Sequence, residues 1–162
     1  MSQNKKTKEN HQPAPIQINA TAQTLLQFDL ASHALRSISE SVSITNMEEI
    51  VLFVNKAFCE TYGFDEDELL GKPINIIRSP NNPLEVVQEI LPETLKGRWY
   101  GELLNCRKDG TEFPIALSSS VVRNEKGQPV ALIGVATDIT GRKEEEKALQ
   151  RQNAYLAALH ET

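Results

Sequence analysis

Residues 97–140, GRWYGELLNCRKDGTEFPIALSSSVVRNEKGQPVALIGVATDIT, constrain the fold more than any other stretch. Three runs rich in β-branched and aromatic residues are separated by Lys108-Asp109-Gly110-Thr111 and Glu125-Lys126-Gly127-Gln128. Each turn supplies a glycine for a positive backbone φ, so the stretch predicts two hairpins in series and hence a three-stranded antiparallel meander. From Gly141 the sequence changes to RKEEEKALQRQNAYLAALHET, free of proline and built from strong helix formers. A sheet hands over to an outgoing helix.

Upstream, residues 1–20 are polar, carry Pro13 and Pro15, lack periodicity and read as a disordered arm. Over 21–40, Leu25, Phe28, Ala31, Leu35 and Ile38 recur every three or four positions, the mark of an amphipathic helix that must bury one face. Ser41–Asn46 alternates and Ile50–Asn55 is strongly β-prone, which predicts a further hairpin. Short helices follow over Lys56–Tyr62 and Asp65–Leu70, with Gly63 and Gly71 as terminators and Asp65 as an N-cap. Leu84–Lys96 has helical spacing, and Pro92 predicts a kink or break in it. The fold class is therefore α+β: two strands, a helical bridge, then three strands.

In 162 residues, 40% hydrophobic and 24% charged, there is room for one domain and short flanks. A net charge of −5 without a basic stripe argues against a nucleic-acid surface. Cys59 and Cys106 form no CxxC pair, so they read as buried apolar thiols in a reduced, cytoplasmic setting. No apolar run is long enough for a membrane span. Of the three histidines, His11, His33 and His160, none falls between positions 34 and 159, which removes histidine acid–base chemistry and most zinc geometries from the domain. With no nucleotide loop and no Ser-His or Cys-His pairing, no catalytic residue and no metal site are expected. The run Glu66-Asp67-Glu68 reads as a solvated helix face.

The order of elements, with Phe53-Val54-Asn55-Lys56-Ala57-Phe58, Tyr62-Gly63-Phe64, Glu68-Leu69-Leu70-Gly71-Lys72, Lys108-Asp109-Gly110-Thr111-Glu112-Phe113, Gly134 and Asp138-Ile139-Thr140, resembles the PAS family with its PAC motif. The resemblance implies a PAS-like five-stranded antiparallel sheet, with short helices on one face around a small cavity. It places the sensor domain at 41–140, between the helix at 21–40 and a signalling, coiled-coil helix at 141–162. Its implied work is to sense a ligand or to dimerise, and to bias an adjoining effector such as a histidine kinase.

The haem-binding members use an axial histidine before the third strand, which this chain lacks. The photoactive flavin members use a cysteine where Ile74 stands here. Asn105 matches one of their flavin contacts, but two others fall on Ile115 and Ala136. Haem and photoactive FMN are therefore not expected. A non-covalent FAD redox sensor is the alternative reading, because Trp99 and Asn105 match residues of such domains. In the cofactor-free reading, strand parity makes Ile44, Trp99, Leu103, Asn105, Ile115, Leu117, Leu132 and Ala136 the candidate cavity lining, with Trp99 filling core volume and Asn105 pairing with nearby backbone. Such a cavity either admits a small apolar ligand or is filled by its own side chains.

Asp138 and Thr140 stand where the family couples sheet to output, and Thr140 is also an ordinary N-cap. Leu149 and Leu156 lie one heptad apart beside the polar Gln152, a short coiled-coil seam. A homodimer through Leu25–Ile38 and the 141–162 helix is the expected assembly. The helical pattern is still running at His160-Glu161-Thr162, so a longer parent chain carrying an effector or a further sensor domain is expected.

Overall fold

The computed structural model describes residues 20–160, with side chains from Leu25 to Leu159, so the expected arm lies almost wholly outside the described residues. The chain divides into two units between His33 and Ala34. Helix α1 (Ala20–Ser37) begins in the first. Among the described residues its Leu25, Phe28 and Leu30 side chains are exposed, although the sequence predicts an apolar face that is buried.

The second unit holds the five-stranded sheet. β1 (Ser41–Thr45) and β2 (Val51–Val54) form the first hairpin; β3 (Arg98–Cys106), β4 (Glu112–Arg123) and β5 (Pro129–Asp138) form the meander. Every pairing is antiparallel and the spatial order is β2-β1-β5-β4-β3, so β5 returns to lie beside β1. The turn glycines Gly110 and Gly127 sit at φ 86° and 75°, the left-handed values that their hairpins require.

Between the hairpin and the meander run α2 (Lys56–Tyr62), α3 (Glu66–Leu69), a 3-10 helix (Ile74–Ile77) that the sequence did not announce, and α4 (Leu84–Lys96). Asn55 caps α2 by accepting the Phe58 N–H at 2.9 Å, and Gly63 ends it in the left-handed conformation. Asp65 and Glu68 form a capping box on α3. The expected break at Pro92 does not occur: α4 is continuous through it. Pro92 cannot donate to the Gln88 carbonyl, but both residues are exposed, where water can take that acceptor.

The core lies between the inner sheet face and these helices. Phe58 and Tyr62 of α2 stack on each other at 4.4 Å, and Tyr62 meets Phe113 of β4 at 5.5 Å. Leu69, Ile90, Leu103 and Ile115 close the cluster. Full burial of each such side chain stabilises by roughly 1.5–3 kcal/mol. Asn55, fully buried, ties the last turn of α1 and the segment after it to the sheet: its Oδ1 also accepts the Val42 N–H at 3.0 Å, while Nδ2 donates to the carbonyls of Leu35, Ile38 and Glu40. Cys59 and Cys106 are free but half-buried rather than buried. Among the described residues no helix is long and apolar enough to cross a membrane.

Candidate functional site: an inner cavity and its link to the outgoing helix

Two adjoining cavities, of about 70 and 50 Å³, lie against the inner sheet face. They share Ser43, Ile74, Arg78, Leu117 and Gly134. Small residues keep this space open. A Cβ on Gly134 would come within 3.1 Å of Ser43 Oγ and 3.6 Å of Leu117 Cδ1. On the α4 side the Thr94 and Ser119 hydroxyls bond each other, so these polar groups are satisfied within the wall.

Of the eight residues expected to line the space, Leu103, Asn105, Ile115, Leu117, Leu132 and Ala136 do so. Ile44 does not. Ser41, Ser43 and Thr45 are the β1 residues that line it, and alternation sends Ile44, with the buried Val42, to the opposite face, so the strand turns its hydroxyls rather than its apolar side chains toward the cavity. Trp99 is buried in the core beside the space without lining it. Its indole N–H donates to Glu89 Oε1 at 2.9 Å, and its ring folds back over Gly101, where a Cβ would come within 2.5 Å of it. Two charged lining residues, Glu49 and Arg78, were missed. Glu49 comes from the β1–β2 turn and Arg78 from just after the 3-10 helix, positions with no period to reveal them.

The site departs from the photoactive flavin pattern in its size and in its side chains. The two spaces fall well below the roughly 300–1,000 Å³ of pockets that hold drug-sized ligands. Ile74, standing at the photoactive cysteine's position, lines both, whereas neither Cys59 nor Cys106 lines either. The polar ends of Trp99 and Asn105, which favoured FAD, are engaged by protein. Asn105 Nδ2 donates to the Tyr62 hydroxyl at 2.7 Å rather than to backbone.

That contact begins a path to the outgoing helix α5 (Thr140–His160). Burial pushes the Tyr62 phenol up to about 12, so the hydroxyl keeps its proton. The Tyr62 carbonyl accepts the Lys108 N–H at 2.8 Å, and the neighbouring Thr61 carbonyl accepts from Arg107 Nη1. Arg107, stacked 3.8 Å over the Phe113 ring, also donates from Nη2 to Asp138 Oδ2 at 2.8 Å. Asp138 Oδ1 in turn accepts the Thr140 N–H at 2.9 Å and its hydroxyl at 2.6 Å. Burial raises the Asp138 carboxyl, but the Thr140 hydrogen bonds and the Arg107 guanidinium outweigh it and hold the group below the usual range.

Asp138 is thus the group that caps α5. Thr140 is its first helical residue rather than its N-cap, since the Lys143 N–H bonds to the Ile139 carbonyl. A second tie holds the same turn to the sheet: Glu102 on β3 accepts from Arg142 and Lys143, each at 2.6 Å. Arg107 and Glu102 were not foreseen as relay residues.

Comparison with known proteins agrees with this architecture. The chain is 25% identical to the nitrogen fixation regulatory protein of Klebsiella oxytoca, over 75% of this chain and 25% of that one. It is 30% identical to blue-light-activated histidine kinase 1 of Erythrobacter litoralis, over 67% of this chain and 31% of the kinase. The chain thus spans a quarter to a third of these relatives. A solved PAS domain from Colwellia psychrerythraea superposes with a TM-score of 0.66 at 22% identity, covering 71% of this chain and 98% of that domain. The PAS domain family itself matches residues 39–141, and with a sheet, helices and cavity all arranged accordingly, the chain belongs to the PAS family of sensory domains.

Proposed function

We propose that this chain is a non-catalytic sensory and dimerisation module that passes a bias from its inner cavity to α5, and through α5 to an effector in a longer parent protein. A histidine kinase or comparable two-component output is the effector favoured by the blue-light-activated kinase among its relatives. The observation that carries the reading is Arg107, which holds the end of α2 and the cap of α5 with one guanidinium. Asn105 lines the cavity and bonds Tyr62, one residue from the Thr61 carbonyl that Arg107 grips, so a ligand that moves Asn105 acts on the same junction.

The proposed assembly is a homodimer through Leu25–Ile38 and the outgoing helix. On α5, Leu149 and Leu156 are exposed one heptad apart, and α1 leaves Leu25 and Phe28 exposed; a second copy would cover both stripes. The cavity is read as free of haem and flavin, so purified protein should be colourless; a co-purifying visible flavin band would restore the FAD alternative. Two measurements test the remainder. Light scattering at micromolar concentration should show a dimer that weakens on deletion of residues 21–40, and a monomer with and without that segment refutes the pairing. Hydrogen exchange should show faster opening of the α5 start in Asp138→Ala while the sheet amides stay protected; unchanged α5 protection refutes the relay.

A further inference from the structure

The larger cavity is apolar over Ile74, Ile90, Leu117 and Leu132, yet it carries one formal charge of each sign, Glu49 and Arg78. Both are half-buried. Among the described residues neither side chain makes an ion pair or hydrogen bond with another, and their backbones are fixed independently: the Ile74 N–H bonds to the Glu49 carbonyl at 2.9 Å, and Arg78 pairs with Asn105 in an isolated bridge. Glu49 is also the described non-glycine residue with a positive φ, 61°. Glycine would adopt that conformation without the steric cost that a glutamate Cβ meets. A strained acidic residue at the wall of a cavity that an unpaired arginine also lines is the pattern in which local strain accompanies binding.

The two charges select the ligand. A lone anion would face Glu49, a lone cation would face Arg78, and a purely apolar molecule would take water from both without returning a partner. A small zwitterion gives each charge its complement. The aliphatic wall favours a hydrocarbon side chain, and a space of about 70 Å³ with a neighbour of about 50 Å³ sets the size as small. We propose that the cavity binds a small aliphatic amino acid, with its carboxylate on Arg78, its ammonium group on Glu49 and its side chain against Ile74, Leu117 and Leu132. The assignment rests on reading the cavity as the sensory input.

The test is calorimetric titration and thermal melting of the full chain with glycine, L-alanine, L-valine and L-leucine at millimolar concentration. Isovalerate and isobutylamine serve as analogues of L-valine lacking one charge each. At least one amino acid should bind saturably and raise the melting temperature, while the two analogues bind at least roughly tenfold more weakly than L-valine if that is the amino acid bound, a factor corresponding to 1.4 kcal/mol. Arg78→Gln and Glu49→Gln should each lose at least about tenfold in affinity. Glu49→Gly separates binding from folding, since it should melt higher than the parent without ligand and still lose the ligand-dependent rise. The assignment is overturned if none of the four amino acids binds, if L-valine binds and isovalerate matches it, or if Arg78→Gln and Glu49→Gly bind as the parent does. None of those results touches the relay, whose exchange experiment on Asp138→Ala needs no ligand.

Discussion

Tyr62→Phe isolates what one buried phenol contributes at the junction between cavity and helix. The side chain is fully buried and its hydroxyl accepts the Asn105 amide at 2.7 Å. Burial displaces its pKa from 10 up to about 12, against the opposing pull of the Asn105 hydrogen bond and the Arg107 charge. The folded state therefore holds the phenolic proton more tightly than the unfolded chain does. Its contribution is complete below pH 10 and is lost as pH rises from 10 through about 12. Two units correspond to about 2.7 kcal/mol, of which about 1.3 kcal/mol falls between pH 9 and pH 11. At neutral pH, Tyr62→Phe should be less stable by about 1–3 kcal/mol, because the buried Asn105 amide loses its acceptor. That deficit should shrink by about 1.3 kcal/mol between about pH 9 and pH 11, since only the parent carries the phenol. Urea unfolding of both proteins across that range measures the difference directly, and every other titrating group cancels in it. A deficit that stays constant across the range would refute the claim that burial of Tyr62 is coupled to its ionisation.

Gly101→Ala places a methyl group within 2.5 Å of the Trp99 ring and should cost about 1–3 kcal/mol, with a red shift of the emission from this single tryptophan as the ring leaves the core. An unchanged spectrum would mean that the ring is held by Glu89 rather than by packing. Asn55→Ala removes a helix cap and several buried hydrogen bonds, so denaturant unfolding should show a loss of about 2–4 kcal/mol. Glu102→Gln should speed hydrogen exchange in the first turns of α5, and raised salt should do the same to the parent, because both ties are solvent-accessible ion pairs. The Asp138 carboxyl is held below its ordinary value of 3.8, so its cap on α5 is complete above that pH and is lost as pH falls through the lower folded value; helix-specific exchange in acid should show it.

What the sequence disclosed and what it hid divide along the range of the interactions. Turns and caps are local: Gly63, Gly110 and Gly127 take the left-handed values their positions demand, and Asn55 and Asp65 sit one residue before their helices. Strand parity is nearly as local, and it brought six of the eight lining residues to the cavity. It failed at Ile44 because β1 turns Ser43 and Thr45 inward, contrary to the usual apolar-in pattern. Trp99 obeys the parity but spends its volume over Gly101. Arg107 has no local signature at all: its partners, Thr61 and Asp138, lie 46 and 31 residues away. The opening stretch was legible as a sheet feeding a helix, whereas the fastening between them became visible only in three dimensions.

The fastening also sets a scale for any signal. Leu103, Asn105 and Arg107 alternate along one side of β3 and its continuation, with the first two at the cavity and the third at the cap of α5. In the proposed relay, a ligand acts by changing the Asn105–Tyr62 contact or the backbone that Arg107 grips. One hydrogen bond to a charged group is worth about 1.5–3 kcal/mol net, and one or two kcal/mol shifts a two-state ratio by a factor of about 5–30. A single contact at this junction is therefore enough to redistribute α5 between two arrangements. It is too little to unfold a domain of ordinary stability, about 5–15 kcal/mol. That separation of scales is why Asp138→Ala should loosen the helix start and leave the sheet intact.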